Sequence, residues 1–327
     1  MQIRVRPEAG IKVSAIENLQ SDIALSLKAK GLRIVAPIPG TDCIGIQIPN
    51  PQPQMVRLST MLGSDKFLGA MNDNWTNLAL GKNVSGEVVV KSLEAMPHLL
   101  VAGATGSGKS VGVNDFILSL MYQNTPSEMK FLMVDPKQVE MELYSGLPYL
   151  LAPIITDPDK ALRMLKRTVD EMETRYTLLK KNKVKHIDEF NAKQPHNSLY
   201  RIVVIIDELA DLMMSGNKKE VELCITRIAQ KARAVGIHLI VATQRPSVNV
   251  ITGLIKANMP TRISYGVVSQ IDSRTILGIK GAEELVGKGD MLYMDASTKY
   301  PERIQCPFVG TEEINHVVKY LQMKYMK

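Results

Sequence analysis

The chain has 327 residues, of which 45% are hydrophobic and 22% are charged, with 22 glycines and 17 prolines. This composition is typical of globular proteins and excludes global disorder, a collagen-like repeat and a coiled coil. The 40 Lys and Arg residues exceed the 33 Asp and Glu residues, and the net charge of +7 is compatible with a polyanionic partner without requiring one.

No apolar run approaches the roughly 18 residues that a membrane-spanning helix requires, and the N-terminal segment lacks the apolar stretch of a signal peptide. The three cysteines, Cys43, Cys224 and Cys306, are odd in number and far apart. They give neither a disulfide framework nor a zinc pattern. These features exclude secreted, membrane-spanning and zinc-dependent proteins and predict a soluble, cytosolic chain of about two domains.

The first seventy residues have the pattern of a small α+β unit. Ser14 and Glu17 have the spacing of a capping box, and apolar residues recur behind them at helical intervals. Two strand-like segments follow at 32–36 and 43–49. Because no catalytic constellation is found there, we predict an accessory domain over 1–72 and a second domain over the remainder, 73–327.

From about residue 75 onward, short apolar strands alternate with helices. The expected strands lie at 98–102, 131–135, 202–207, 238–243 and 262–267. A long helix begins at Asp157-Pro158, a good N-cap and first-turn pair. Strands that are apolar on both faces and separated by helices predict an α/β fold with a mostly parallel sheet covered on both sides. Segments 289–294 and 302–309 predict an antiparallel hairpin at the sheet edge, followed by a final helix.

Residues 103–110, GATGSGKS, match the phosphate-loop pattern GxxxxGK[ST] in full. The match follows a predicted strand and opens a predicted helix, the context in which the pattern marks a site. The glycines let backbone N–H groups turn inward, and the helix N-terminus adds positive potential. Lys109 can reach the β- and γ-phosphates, and Ser110 can offer its hydroxyl to Mg²⁺. The predicted nucleotide-binding residues are Gly103, Ala104, Thr105, Gly106, Ser107, Gly108, Lys109, Ser110 and Val111.

A pair of acids follows the buried strand IVVII. Asp207 is predicted to hold a magnesium-bound water, and Glu208 to polarise the water that attacks the γ-phosphorus of ATP. Two carboxylates at the end of an apolar strand need a cation or donors, whereas an ordinary helix N-cap explains only one acid. Asp135 is the competing candidate and ranks second, because its strand is shorter and no second acid follows. The predicted chemistry is therefore ATP hydrolysis.

Residues 226–282 form a basic stretch, with eight Lys or Arg residues against one acid, Asp272. A basic surface is commonly just solvated. This stretch, however, begins after the catalytic acids and includes the next strand, so it should lie near the sheet edge where nucleotide chemistry occurs. Lys256 and Arg274 lie in segments with Gly and Ser, as loop contacts with phosphates would. Aromatic residues are nearly absent here, so contact with a duplex backbone fits better than base stacking on single strands.

Together the motifs GATGSGKSVGVN, IVVIIDELADLM, RIAQKARAVGIHLIVATQRPSVNVITGLIKANMPTRI and IDSRTILG resemble the motor domain of the FtsK/SpoIIIE family of double-stranded DNA translocases. The resemblance covers essentially the whole chain, and the run 227–278 is far more specific than the phosphate loop. It implies a RecA-like P-loop ATPase core preceded by a small domain. It also implies a hexameric ring with ATP between subunits, duplex DNA in the central channel, and a role in chromosome partition at cell division.

Carried onto this sequence, the resemblance assigns a role to each motif position. It implies that Lys109 and Ser110 bind nucleotide and Mg²⁺, that Asp207 supports the metal, and that Glu208 activates water. It implies that Arg233 is an arginine finger for a neighbouring subunit's γ-phosphate and that Gln244 is a sensor that reports this phosphate to the DNA loops. The implied contacts with DNA phosphates are Arg245, Lys256, Gln270 and Arg274.

Three features depart from the family pattern. Position 270 is Gln where many relatives carry Lys (VSQIDSR here, SSKIDSR there), so one charge contact per subunit is expected to be weaker or lost. The membrane segments that anchor full-length relatives to the inner cell membrane are not recognised, nor is the C-terminal winged-helix module. The expectation is a cytoplasmic motor portion that makes no membrane contact of its own.

Three rival functions stay open from sequence alone. One is a related ring ATPase that moves polypeptide, as in some bacterial secretion systems, and the basic stretch argues against it. Another is a nucleotide-gated DNA-binding module that hydrolyses too slowly to do work, and Glu208 and Arg233 argue against that. A small-molecule kinase is a distant third, because residues 208–220 contain no insertion for a substrate lid.

Overall fold

The computed structural model describes residues 2–8, 10–29, 31–38, 40–298 and 300–326. None of the helices in these ranges combines the length and the apolar character that crossing a bilayer demands. The described residues form a small three-stranded antiparallel sheet at the N-terminus and a nine-stranded main sheet flanked by helices.

The described strands are three to seven residues long. They are β1 (Gln2–Val5), β2 (Arg33–Val35), β3 (Ile44–Gln47), β4 (Asn77–Asn83), β5 (Val88–Ser92), β6 (His98–Ala102), β7 (Met129–Val134), β8 (Arg201–Ile206), β9 (Ile237–Thr243), β10 (Thr261–Tyr265), β11 (Asp290–Met294) and β12 (Glu302–Gln305). The described helices are α1 (Val13–Asn18), α2 (Gln20–Ser26), α3 (Leu58–Leu62), α4 (Asp65–Asp73), α5 (Lys109–Gln123), α6 (Pro158–Lys181), α7 (Ile187–Lys193), α8 (Leu209–Met213), α9 (Lys218–Lys231), α10 (Gly253–Asn258), α11 (Gln270–Leu277) and α12 (Thr311–Tyr325).

The N-terminal unit contains the two predicted strands, β2 and β3, and a third, β1, that was not predicted. Its order is β1-β3-β2, with antiparallel pairing throughout. The predicted capping box of Ser14 and Glu17 is wrong. The backbone is already extended at Lys12, which is therefore the N-cap, so Ser14 lies inside α1 and no side chain caps this helix.

The main sheet has the order β5-β4-β12-β11-β10-β6-β9-β8-β7. The five strands β10, β6, β9, β8 and β7 are parallel to one another, and each overlaps the segment predicted for it. Alternate residues of β6 serve opposite faces: Leu99 and Val101 join the core beneath α5, and Leu100 and Ala102 join the core beneath α6. The predicted α/β fold with a mostly parallel sheet is confirmed.

The predicted hairpin of β11 and β12 exists, but its position at the sheet edge is wrong. Strand β12 pairs with β4, and β4 pairs with β5, which forms the actual edge. The sequence of β4, NLALGKN, does not predict a strand, because its short apolar run ends at Gly81 and polar residues follow. A register shift between Ala79 and Gly81 marks a bulge at this point.

Helix α6 begins as the sequence predicts. Asp157 is its N-cap and accepts a hydrogen bond from the Lys160 N–H at 2.8 Å, with Pro158 as the first helical residue. An apolar stripe that includes Leu165 and Met172, both fully buried, belongs to the core on this face of the sheet and packs against α9. This helix of 24 residues shares one apolar cluster with β6, β8 and β9.

Helices α3 and α4 pack on the main sheet and not on the N-terminal unit. Leu58, Met61 and Phe67 are buried in the same apolar cluster as Phe116 of α5. We therefore propose that the second domain begins near residue 55, before α3, instead of after residue 72.

Candidate active site

The phosphate loop connects β6 to α5 and has a backbone that requires glycine. Gly106 and Gly108 have φ angles of +77° and +104°, which other residues rarely adopt. A Cβ on Gly108 would lie 2.4 Å from the backbone nitrogen of Gly289, and one on Gly103 would lie 2.6 Å from Cβ of Tyr265. The glycines of the motif therefore let the loop pack closely against its neighbours.

The surroundings of the loop suit an anionic ligand. The Ala104 N–H donates to the Gly266 carbonyl at 2.8 Å, and the Ser107 carbonyl accepts from the Gly289 N–H at 2.9 Å, so the loop is fixed to its neighbours. The Ser107 hydroxyl is buried without a hydrogen-bond partner. The first N–H groups of α5 have no partner within the helix, as at any helix N-terminus. These donors fit phosphate oxygens.

A cavity of about 700 Å³ adjoins the loop, within the size range of small-molecule sites. One end is lined by Lys109 and Ser110 and the other by Met55, Val56 and Phe308. The apolar end is closed by backbone pairing, because the Phe308 N–H donates to the Val56 carbonyl at 2.7 Å. Sequence reasoning did not find this apolar end, since it joins segments some 250 residues apart.

Lys109 and Asp207, predicted from separate motifs, are in contact. The Lys109 ammonium lies 3.0 Å from Oδ1 of Asp207 and 2.9 Å from its carbonyl oxygen, and both side chains are at most 2% exposed. The contact exists because β8 and β6 run parallel on either side of β9, so their carboxyl ends meet at one edge of the sheet.

Glu208 is held by donors from three directions. Its carboxylate accepts from the Thr243 hydroxyl at 2.6 Å, from the Gln244 N–H at 3.2 Å and from the Lys137 ammonium at 3.1 Å. Burial alone would raise the pKa of Glu208, but these hydrogen bonds outweigh it and hold the pKa below its usual value. The side chain is therefore an oriented, ionised carboxylate, which is the form a general base needs.

Gln244 joins the acid to the phosphate loop. Its Oε1 accepts from the Thr105 hydroxyl at 3.2 Å and from the Lys137 ammonium at 3.3 Å, while its backbone N–H bonds Glu208. Lys137 was not predicted as a site residue. The available signal was its position just after β7, because the ends of parallel strands meet at the same sheet edge.

Asp135, the competing acid, organises its own loop. Its two oxygens accept hydrogen bonds from five consecutive backbone N–H groups at 3.0 to 3.1 Å. These donors belong to Lys137, Gln138, Val139, Glu140 and Met141. A carboxylate engaged in this way is a structural acceptor, which supports the ranking of Asp207 above Asp135.

The donor set fits a hard divalent cation with few protein ligands. The Ser110 hydroxyl and the Asp207 carboxylate supply oxygen donors, which Mg²⁺ prefers while it keeps several waters. In the part of the chain that the structure describes, no group of three or more His, Cys, Asp or Glu side chains could enclose a metal ion. The site therefore fits a metal held mainly by ligand phosphates and water.

Arg233 lies far from this site within its own chain. It is exposed on the turn Ala232–Val235, between the end of α9 and the start of β9. The seven residues of β9 separate this turn from Gln244 by roughly 23 Å. The structure thus places Arg233 at the amino end of the parallel strands, opposite the end that carries the phosphate loop.

The predicted DNA contacts lie on the connections that leave β9 and β10. Arg245 follows β9, Lys256 lies in α10, and Gln270 and Arg274 lie in α11. Within the described ranges, no hydrogen bond or ion pair engages the side chains of Lys256, Gln270 or Arg274. We call Arg245, Lys256, Gln270 and Arg274 together the connector surface.

Other cations of the basic stretch serve the fold. Arg262 donates to the carbonyls of Lys256 at 2.6 Å and Ile276 at 3.3 Å, so it ties α10 to α11 beneath the connector surface. Arg227 and Lys231 pair with Glu173 of α6. A count of charges along the sequence therefore overstates the number available to a ligand.

Two family models match the chain. One described as the FtsK/SpoIIIE family matches residues 70–248, and one described as the FtsK alpha domain matches residues 1–50. The chain is 50% identical over 324 residues to DNA translocase FtsK of Caldanaerobacter subterraneus subsp. tengcongensis, covering 99% of this chain and 45% of the relative. It is 51% identical over 328 residues to DNA translocase SpoIIIE of Bacillus subtilis, covering 97% and 41%. The chain thus spans less than half the length of these relatives.

Solved structures agree on the fold. The pCW3 conjugation coupling protein TcpA, in its monomer form with ATPγS, has a TM-score of 0.73 and 26% identity, covering 100% of this chain and 89% of that one. EssC (ATPases 2 and 3) from Geobacillus thermodenitrificans has a TM-score of 0.71 and 17% identity, covering 85% and 53%. The second likeness concerns fold alone. Both support the P-loop ATPase architecture predicted from the sequence.

Proposed function

The chain belongs to the FtsK/SpoIIIE family, and on that premise we propose that it is the motor portion of an ATP-driven translocase of double-stranded DNA. The observation that carries the proposal is the sequence of contacts at the end of β9. Thr243 and Gln244 hold Glu208, and Gln244 also contacts the phosphate loop. The next residue, Arg245, is exposed and begins the connector surface. These contacts support a motor in which neighbouring residues at one strand end contact the nucleotide and the DNA.

In this proposal the chain binds ATP through the phosphate loop. Lys109 and the first N–H groups of α5 contact the β- and γ-phosphates, and Ser110 and Asp207 hold Mg²⁺, which neutralises phosphate charge when bound. Glu208 orients the attacking water and accepts its proton. The adenine base of ATP has room in the apolar end of the cavity, between Met55 and Phe308.

Arg233 completes the site of a neighbouring subunit. Arg233 and the phosphate loop lie at opposite ends of the parallel strands. A head-to-tail arrangement of identical subunits therefore brings Arg233 of one subunit against the phosphate loop of the next. Such heterologous interfaces close into rings when the rotation permits, and the family resemblance favours six subunits. An arginine so placed neutralises charge that develops on the γ-phosphate.

The connector surface grips the DNA backbone without reading sequence. Arg245, Lys256 and Arg274 present charges without ion pairs in the described residues, as phosphate contacts require. Gln244 couples the γ-phosphate to this surface because it bonds both Thr105 and Glu208. The cytoplasm, where the chromosome lies, is the proposed place of action, and chromosome partition at cell division the proposed role.

Steady-state ATPase activity with and without duplex DNA tests the proposal. We expect turnover to rise strongly with duplex and DNA affinity to fall steeply with salt. Equal turnover in duplex and in buffer would contradict the motor assignment. Stimulation by polypeptide but not by duplex would instead support a polypeptide-moving ATPase, and negligible turnover under all conditions would support a nucleotide-gated binding module.

A further inference from the structure

The turn that carries Arg233 is bonded at both ends by side chains of α6. The Tyr176 hydroxyl donates to the carbonyl oxygen of Lys231, where α9 ends, at 2.5 Å. The Arg175 guanidinium donates through Nη1 to the carbonyl oxygen of Val235, where the turn ends, at 3.0 Å. Because Arg233 lies between these two carbonyls, adjacent residues of one helix fix the backbone on either side of it.

The surroundings of Arg175 argue for a role beyond packing. Its side chain is 2% exposed, and it also donates to the Tyr200 carbonyl at 2.8 Å and to Glu171 at 2.7 Å. Burying a guanidinium is costly, and an apolar side chain of similar volume commonly packs at lower cost. Space filling therefore does not account for an arginine here, whereas the need to hold two backbone carbonyls does.

The turn is also supported from a third side, while its finger side chain stays free. Gly236 has a φ of +70°, and a Cβ there would lie 2.6 Å from Cδ1 of Ile187. Its carbonyl accepts from the Ile202 N–H at 2.9 Å, which fixes the turn to β8. Within the described ranges, the exposed side chain of Arg233 makes no hydrogen bond or ion pair.

We propose that Arg175 and Tyr176 are positioning residues that set the backbone of the Arg233 turn for its approach to a neighbouring subunit's nucleotide. This inference rests on the proposed function, since a finger that acts outside its own subunit needs a rigid base and a free side chain. A misplacement of about 1 Å at a reacting centre can cost 10²-fold in rate. An exposed four-residue turn therefore needs support from the fold. Both residues act through Arg233 and do not touch nucleotide.

A double-mutant cycle tests the proposal. Tyr176→Phe removes one hydroxyl and leaves the ring in place, so we expect kcat with duplex DNA to fall roughly three- to ten-fold, as for one lost hydrogen bond, with the KM for ATP unchanged. In an Arg233→Ala background the substitution should have no further effect, because the group it positions is gone. The matched control is Thr177→Val, which removes a hydroxyl whose only hydrogen bond among the described residues is to the Glu173 carbonyl within α6. It should retain wild-type kcat in both backgrounds.

Arg175→Met provides a second variant, since it approximates the volume and removes the donors. We expect a larger loss of kcat than for Tyr176→Phe, again only when Arg233 is present. Thermal unfolding of each variant identifies any loss of fold. Should Arg175→Met not fold, the Tyr176→Phe cycle alone tests the proposal.

Failure of this inference is distinguishable from failure of the proposed function. If Arg233→Ala leaves turnover with DNA unchanged, the finger assignment itself is wrong. If Arg233→Ala slows turnover, the finger assignment stands. The positioning role is then overturned if Tyr176→Phe lowers kcat by the same factor with and without Arg233, or if it lowers kcat in neither background.

Discussion

At the scale of single residues, the site is a set of side chains whose hydrogen bonds determine their charge and direction. Glu208 is the clearest case, because a buried carboxylate without donors would take up a proton. Lys137 supplies one of these donors and also bonds Gln244. It therefore orients the proposed base and the proposed sensor together, although no motif contains it.

Lys137→Met should lower kcat with duplex DNA roughly ten-fold or more, because a misdirected base loses much of its contribution. The dissociation constant for ATP should change by less than about two-fold, since Lys137 contacts Glu208 and Gln244 and not the phosphate loop. Rapid-mixing turnover and nucleotide titration measure the two effects. Lys130→Met is the matched control, because Lys130 lies on β7 and its ammonium bonds, among the described residues, only the Pro148 carbonyl. Equal losses in both variants would contradict a specific role.

Gln270→Lys should tighten duplex binding and steepen its dependence on salt. The substitution adds a cation to the connector surface, and each phosphate contact adds about 0.9 to the slope of log K against log salt. Fluorescence anisotropy at several salt concentrations measures both quantities. Asn315→Lys adds the same charge at an exposed position of α12, outside the connector surface. If the two variants behave alike, position 270 does not contact DNA.

At the scale of elements, β6 and β9 each carry a buried histidine near the amino end. His98 and His238 have ring centroids 6.5 Å apart. Burial, together with the neighbouring His238, lowers the pKa of His98 to about 3. Burial lowers the pKa of His238 to about 4, against the opposing effect of its bond to the Pro97 carbonyl. Both rings are therefore neutral in the folded protein at pH values well above about 4.

These histidines make stability depend on pH in a defined direction. In the unfolded chain these two histidines take up protons below about pH 6.5, whereas in the folded chain they do not until about pH 4. Their contribution to the free energy of unfolding is complete above about pH 6.5. It decreases as pH falls from about 6.5 to about 4, by up to about 1.4 kcal/mol per pH unit for each proton. In urea unfolding between pH 7 and pH 4.5, His98→Asn should lose less stability than wild type. The exposed His316→Asn should follow wild type, and parallel curves for wild type and His98→Asn would contradict the account.

Sequence patterns predicted the elements whose signal is local. The five parallel strands are apolar runs, and α6 has both a cap at Asp157 and a regular stripe, so each was located closely. Strands β4 and β5 were missed because the apolar run of β4 ends at Gly81 and because both strands depend on pairing, β4 with β12 and the two with each other. The site followed the same rule. Lys109 and Asp207 lie in motifs, whereas Lys137 and the apolar end of the cavity depend on contacts distant in sequence.

At the scale of the whole molecule, the length of the parallel strands separates the two halves of the proposed reaction centre. The phosphate loop, Glu208 and Gln244 lie at the carboxyl ends of the parallel strands, and Arg233 lies at the amino end of β9. No single subunit can bring these groups together across the length of a strand. This separation is the reason for proposing hydrolysis at an interface between subunits, where the proposed role of Arg175 and Tyr176 is to position the Arg233 turn.

Mixing two inactive variants tests this central claim most directly. Glu208→Ala subunits lack the proposed base but keep the finger, and Arg233→Ala subunits lack the finger but keep the base. When they assemble together, a head-to-tail interface between unlike subunits restores one complete site. We expect each variant alone to show little ATPase activity with duplex DNA, and an equal mixture to recover about a quarter of the wild-type rate for random assembly through such interfaces. A mixture no more active than its two components would contradict hydrolysis between subunits.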